Sequence, residues 1–439
     1  MKIVIIGASF AGLSAAIKSA QLYPESQVIV IDRHETLAYI PNSLNWALRS
    51  DQATWNYSFF SREQLDQAGV QLLLNQEVVR VDPTQKVVFF SNGHTQAYDK
   101  LILAAGSTQQ SSYIKGSNLP GVLMSKDYAN SLEAEAVLKK AKRIAIIGAG
   151  QIGIEASETY IRMGKEVHLF EANPSLDFKL YDSDILEPLE NSMRASGVQI
   201  HCQERVQQII SNSKGLQVMS RGQVVHVDAI MLCAGFRPNT TFLEDLPILA
   251  ADKTVRVNSY LQTSLPHIFA AGDMVQLPLL EDKDFSYMPL INTALKTGEL
   301  AAYNLFQPKV ALPLSVRLVA GHQFGWYRSA IGLTAEEAGL YENIRVVDYK
   351  SPCSLRDPSL LFIRLVVTAD TGRILGAQTL AKRDCSTLLQ ALVYPMAEQK
   401  TDRDLAFQDF LYTAGEQELF FHLHEVLLKS LDQRGELWK

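Results

Sequence analysis

One pattern occurs twice in this chain: a strand-length apolar run, a glycine-rich turn, a helix, a second strand and a terminal acid. Nothing else in the sequence restricts the fold as tightly. The first copy opens the chain as "MKIVIIGASFAGLSAAIKSA". Lys2–Ile6 reads as a buried strand, and Gly7, Ala8, Ser9, Phe10, Ala11 and Gly12 as the turn into a helix rich in Ala and Leu. The first glycine permits the tight turn, and small residues let the backbone approach a pyrophosphate. The helix N-terminus offers free N–H groups and the positive end of its dipole. Ser9 stands where the middle glycine is usual and is small enough to serve. The next strand, "QVIVID", ends in Asp32, twenty residues beyond Gly12, where an acid can accept ribose hydroxyls.

The second copy, "KRIAIIGAGQIGIEASETYIRMGKEVHLFEAN", carries the full glycine set at Gly148, Gly150 and Gly153, with Gln151 and Ile152 inside the turn. Its acid is Glu171, followed by Ala172, Asn173 and Pro174. A carboxylate there with no arginine beside it favours NAD(H) over NADP(H), since a 2′-phosphate would meet an unscreened acid. One glycine-rich turn can be plain structure. Two complete units in order predict an α/β chain with two Rossmann-like three-layer domains.

The remaining composition mostly excludes. A chain of 439 residues, 47% hydrophobic and 20% charged, is ordinary globular material with room for two to four domains. The net charge of −6 comes from well-mixed signs, which argues against nucleic-acid binding. Apolar runs such as "KIVIIG" and "KLILAAG" are too short to span a membrane, and no signal-peptide pattern precedes the first strand. The expectation is a soluble cytoplasmic protein. Cys202, Cys233, Cys353 and Cys385 form no CxxC pair and read as reduced, packed thiols. Of the nine histidines only His422 and His424 are close neighbours, so no metal site is expected.

With both fingerprints in place, the chain resembles the FAD-dependent pyridine nucleotide-disulfide oxidoreductases, in which FAD takes the first unit and NAD(P)H the second. "YDKLILAAGS" (Tyr98–Ser107), with Ala105 and Gly106, looks like the strand and loop returning to the FAD domain. "VDAIMLCAGFRPNT" (Val227–Thr240), with Gly235, looks like the strand leaving the NAD domain. "TSLPHIFAAGDMV" is similar to the last FAD motif, whose acid, here Asp273, bonds the ribityl chain. "MPLINTALKTGELAAYNL" resembles the helix offered to the flavin ring, which places Pro289, Leu290 and Ile291 at its pyrimidine edge. The resemblance also implies FAD contacts at Val79 and Lys126, the latter in place of an arginine near the pyrophosphate or else solvated. It makes Glu155 either the residue holding the nicotinamide carboxamide or the partner of a buried basic group.

The C-terminal part narrows the likeness. "SVRLVAG", "IRVVDYK" and "LLFIRLVVT" are strand-like, and a turn at "ADTGRILGAQTL" and an amphipathic helix follow. The ending "RDLAFQDFLYTAGEQE" resembles the dimerisation domain of the NADH oxidase, NADH peroxidase and coenzyme A–disulfide reductase group. This implies a homodimer, with Tyr412 reaching the partner's flavin or serving as a rim aromatic. The implied organisation is an FAD-binding domain from 1–110 and 245–311, an NAD-binding domain inserted at 111–244, and an α+β dimerisation domain at 312–439.

Members of that group carry a redox cysteine about ten residues past the first ribose acid. Here Asn42 falls at that place, and no cysteine occurs before Cys202. Phe10 falls where the peroxidases have a histidine, and Gln151 where many relatives have a flavin-shielding aromatic. Reduction of peroxide or disulfide by this route needs a thiolate, which Asn42 cannot supply. The expected function is therefore an FAD-dependent NADH oxidoreductase passing electrons to oxygen, as an H2O2-forming NADH oxidase, or to another small acceptor. An NADH-dependent reductase of a carrier (ferredoxin, rubredoxin or a quinone) and a weakly active FAD/NADH-binding redox sensor stay open as alternatives.

Three other stretches read structurally. "WNYSFF" (Trp55–Phe60) packs between domains or lines the flavin's substrate side. "SDILEPLENSMRASGV" has the helical spacing of Ile185, Leu186, Leu189 and Met193. "TAEEAGL" starts a helix with Thr334 as N-cap and Glu337 three residues on.

Overall fold

The computed structural model describes residues 1–41, 43–50, 58–110, 113–213, 215–280, 285–354, 356–410 and 419–435. Asn42, Trp55 to Tyr57 and Tyr412 lie outside these described residues.

The chain begins with β1 (Lys2–Ile6), α1 (Phe10–Leu22) and β2 (Gln27–Ile31), followed by α2 (Ser43–Arg49), β3 (Gln71–Leu73) and β4 (Lys100–Leu103). The second glycine unit lies within β5 (Val122–Leu123), β6 (Arg143–Ile147), α3 (Gln151–Arg162), β7 (Glu166–Phe170), β8 (Val198–His201) and β9 (Ala229–Leu232). Then β10 (Ile268–Ala270) returns to the first sheet, giving the strand order β10-β4-β1-β2-β3, and α4 (Ile291–Asn304) packs on α1. The second sheet runs β8-β7-β6-β9-β5. Both sheets are parallel in every pair. Parallel strands need crossover helices on both faces, which explains the near-continuous burial of β1, β2, β6 and β7 after their first residue. With both glycine turns at the carboxyl ends of such strands, each sheet presents its nucleotide crevice there.

A third sheet is antiparallel: β11 (Leu318–Gln323), β12 (Trp326–Gly332), β13 (Ile344–Pro352), β14 (Leu360–Thr368) and β15 (Ile374–Ala381), in the order β11-β12-β15-β14-β13. Helix α5 (Leu419–Arg434) packs against it. The expected turn at "ADTGRILGAQTL" is confined to its first residues. The rest is β15, a fully buried strand in which a Cβ on Gly376 would lie 2.1 Å from the Leu333 carbonyl oxygen. Glycine in a strand interior thus marks a close backbone approach, although it reads as a turn in the sequence. Two short helices, Ser386–Gln390 and Val393–Ala397, stand where one amphipathic helix was expected. The Thr334 cap is present as a full capping box with Glu337. Leu189 and Met193 are buried on the helix Glu187–Ala195, with Ile185 and Leu186 buried just before it. No helix among the described residues is long and apolar enough to cross a membrane.

Candidate functional site

The first glycine turn is required by its surroundings. Gly7 has φ +117°, and a Cβ there would sit 2.1 Å from the Ala104 carbonyl oxygen; one on Gly12 would sit 1.8 Å from that of Gly7. Neither clash can be relieved by a side-chain movement, so α1 is drawn in tightly over β1. The N-cap residue Ser9 makes no side-chain capping bond, which leaves the first N–H groups of α1 for an anion. Asp32, at the end of β2, accepts from the backbone N–H of Ala8 at 2.7 Å and of His34 at 2.7 Å. Its carboxylate is thereby fixed beside the turn.

These groups line one end of a cavity of about 730 Å³, together with Val79. Ala105, Gly106, Lys126, Asp273, Pro289, Leu290 and Ile291 line the rest. Asp273 accepts from the Ser107 hydroxyl at 2.6 Å and from the Lys126 ammonium at 3.0 Å. Lys126 also stands 4.3 Å from the centre of the Phe236 ring, so it is held in the cavity wall rather than solvated. Helix α4 starts at this wall, and its N-cap Leu290 supplies no capping side chain.

The second turn repeats the design. Gly148 has φ +105°, and its Cβ would lie 2.4 Å from the Cys233 carbonyl oxygen; that of Gly153 would lie 1.9 Å from Gly148. Gly150 caps α3 without a side chain. Glu171 accepts from the Ala149 N–H at 2.8 Å, and from Asn173 through its backbone N–H at 2.8 Å and its side-chain amide at 2.7 Å. A cavity of about 600 Å³ opens here, lined among others by Gly148, Gly150, Gln151, Ile152, Glu171 and Gly235. Gly12 and Gly153 line neither cavity and act through close packing. Two crevices of this size, each with an uncapped helix start and a fixed carboxylate, fit two dinucleotides.

The structure also brings in residues that local motifs did not show. Arg205 and Tyr113 line the second cavity with Glu171. The sequence shows no arginine next to Glu171, but the chain returns one to it after β8. Gln151, Ile152, Phe236, Pro289, Leu290, Leu318 and Val319 line both cavities and form a shared wall. Leu318 and Val319 come from β11 of the C-terminal sheet. Glu155 lines neither cavity. Burial pushes its carboxyl up, with Arg49 and Asn45 of α2 acting in the opposite direction. Arg49 donates to the Glu155 backbone carbonyl at 3.2 Å and to Thr159 at 2.8 Å, and pairs with Glu158 at 3.2 Å.

Aromatic contacts lie at and beyond the first glycine turn. Phe10 lies 6.0 Å from Phe59, Phe59 lies 5.2 Å from Phe60, and Tyr39 lies 5.7 Å from Tyr128, centre to centre. Burial pushes the thiols of Cys202 and Cys385 up to about 11 and that of Cys233 up to about 12. At neutral pH these are thiols rather than nucleophilic thiolates.

Two parallel-sheet units with adjoining nucleotide crevices and an added antiparallel sheet define a two-dinucleotide flavoprotein reductase. Residues 1–298 match the pyridine nucleotide-disulphide oxidoreductase family, and the chain belongs to it. The NADH oxidase of Enterococcus faecalis is 30% identical over 426 residues, 94% of this chain and 95% of that protein. The NAD(P)H coenzyme A polysulfide/persulfide reductase of Pyrococcus horikoshii is 26% identical, covering 94% of each. Among solved structures, the water-forming NADH oxidase of Lactobacillus brevis bound to NADH superposes with a TM-score of 0.93 at 27% identity, covering 100% of both chains. The protein is an FAD-dependent NAD(P)H oxidoreductase, and FAD and NADH are its cofactors.

Glu171→Ala should lower the efficiency of flavin reduction by NADH about tenfold or more, since hydrogen bonds to a charged group contribute ~1.5–3 kcal/mol. NADPH should lose nothing and gain, because Arg205 then lacks a competing acid in the cavity. Steady-state rates with both nucleotides decide it; equal losses for the two would disprove the discriminating role.

Proposed function

We propose that this protein is an NADH oxidase that forms H2O2 and works without a redox-active thiol. One observation carries the reading: two well-formed nucleotide cavities share a wall, yet no cysteine precedes Cys202. Bound FAD supplies the two-electron relay between NADH and an acceptor. The chain's own residues bind and align. Asp32 and Glu171 take the two ribose ends, Asp273 with Lys126 and Ser107 takes the flavin side chain, and the starts of α1 and α3 take the pyrophosphates. With Asn42 at the thiol's place in the sequence and Phe10 at the histidine's, those two positions supply neither a nucleophile nor a proton donor for splitting peroxide. Oxygen, small enough to need no binding pocket of its own, is the acceptor that this wall favours. A homodimer through the C-terminal sheet, a cytoplasmic setting and the three-part division at 110/111, 244/245 and 311/312 complete the reading. The return of β10 to the first sheet supports that division.

Anaerobic addition of NADH should bleach the flavin with no long-wavelength thiolate charge-transfer band, and air should restore it with about one H2O2 per NADH. Slow reoxidation in air would move the function to a carrier or quinone reductase, and absence of bleaching would remove the enzyme reading. The double variant Asn42→Cys with Phe10→His should acquire the charge-transfer band and release clearly less H2O2 per NADH. An unchanged yield would show that the thiol position is not what sets the product.

A further inference from the structure

We propose that Gln151 recognises the nicotinamide carboxamide through its side-chain oxygen and so decides which reduced pyridine nucleotides deliver electrons. The inference rests on NADH entering the second cavity. It starts from position: Gln151 is the first residue of α3 and lines both cavities. The reactive end of a nucleotide lying in the second cavity must reach the first across that wall, because hydride transfer requires near contact of the reacting atoms.

The amide's orientation is fixed by its partner. Gln151 donates through Nε2 to the backbone carbonyl of Ala320 in β11. A carbonyl oxygen can only accept, so the nitrogen must face it. The oxygen Oε1 then receives no hydrogen bond among the described residues and stands as a neutral acceptor on the wall. A primary carboxamide offers an NH2 donor that matches such an acceptor. The competing acceptor on the same helix, Glu155, sits one turn further on against Asn45 and Arg49 and lines neither cavity. Of the two, only Gln151 is placed where a nicotinamide must pass.

The test uses the FAD-loaded full chain in anaerobic stopped flow, with NADH and with reduced 3-acetylpyridine adenine dinucleotide, whose methyl group replaces the NH2. The ratio of their efficiencies is compared between variants, which cancels the analogue's intrinsically different donor strength. Gln151→Leu should shrink the preference for NADH about tenfold, the effect of one buried neutral hydrogen bond. Gln151→Lys, which keeps a donor for Ala320 but has no acceptor, should shrink it equally, separating recognition from the tether to β11. Glu155→Gln should keep the wild-type ratio. An unchanged ratio in Gln151→Lys, or a collapse in Glu155→Gln instead, would overturn the assignment. Failure of the wild type to be reduced by either nucleotide would overturn the coenzyme reading beneath it.

Discussion

Asp273→Ala is expected to purify largely colourless, with FAD affinity at least a hundredfold weaker than in the parent. Asp273 is the middle residue of a 3₁₀ turn, Gly272–Met274, that follows the short strand β10 after one intervening residue. Its side chain is 11% exposed and accepts from both Ser107 and Lys126. Removing it has two costs. The cofactor loses a charged acceptor, worth about 1.5–3 kcal/mol for each hydrogen bond made. The Lys126 ammonium, itself only 23% exposed, loses its counter-charge inside the cavity. Two such hydrogen bonds exceed the 2.7 kcal/mol that a hundredfold in affinity requires, at about 1.4 kcal/mol per decade, while the stranded ammonium lowers the stability of the protein itself. Asp273→Asn, which keeps an acceptor but not the charge, should fall between. Flavin absorbance per chain and titration of the stripped protein with FAD decide the matter. A yellow Asp273→Ala protein with near-parent affinity would remove Asp273 from the cofactor site.

The parts of this site that could be read from the sequence are those enforced locally. Gly7, Gly12, Gly148 and Gly153 each face a backbone oxygen at a distance no Cβ could tolerate, so the turn's composition is a steric record of its shape. Asp32 and Glu171 follow from strand length, because a parallel strand of five residues delivers the residue just after it to the turn beside it. The C-terminal strands at "IRVVDYK" and "LLFIRLVVT" were legible from their apolar β-branched residues. What local pattern could not show depends on long-range return. Arg205 reaches the cavity of Glu171 only because β8 pairs with β7. Glu155 faces α2 because a separate helix, carrying Arg49 and Asn45, packs against α3. The carbonyl of Ala320 meets Gln151 across a separation of 169 residues. Such contacts leave no periodicity and no motif.

Another contact of this kind lies beneath the NAD turn. Arg328, from β12 of the antiparallel sheet, is fully buried and pairs through Nε with Asp177 at 3.0 Å, both side chains 0% exposed. A second guanidinium nitrogen donates to Gln323. Asp177 itself lines the NAD cavity, and its backbone N–H donates to the Ala149 carbonyl at 2.9 Å. The pair therefore bolts the C-terminal sheet to the glycine turn. Arg328→Met should cost about 3–5 kcal/mol of stability, because it strands a buried carboxylate without its partner. Burial already pushes the Asp177 carboxyl above the ordinary range, with Arg328 holding it down. Without Arg328 the folded-state pKa climbs further. A carboxyl whose folded pKa is raised contributes its stability below the unfolded pKa and loses it as pH rises through the folded value. The deficit of Arg328→Met against the parent should accordingly be smaller at about pH 5.5 than at about pH 8. Adding Asp177→Leu should recover much of the loss, since a well-packed apolar pair can replace a buried ion pair at little cost. Urea denaturation at both pH values, run on the single and double variants, distinguishes the cases. If the double variant is no better than Arg328→Met, the loss comes from the missing arginine's packing and not from the stranded charge. If Arg328→Met unfolds with the parent, the bolt between sheet and turn carries no stability at all.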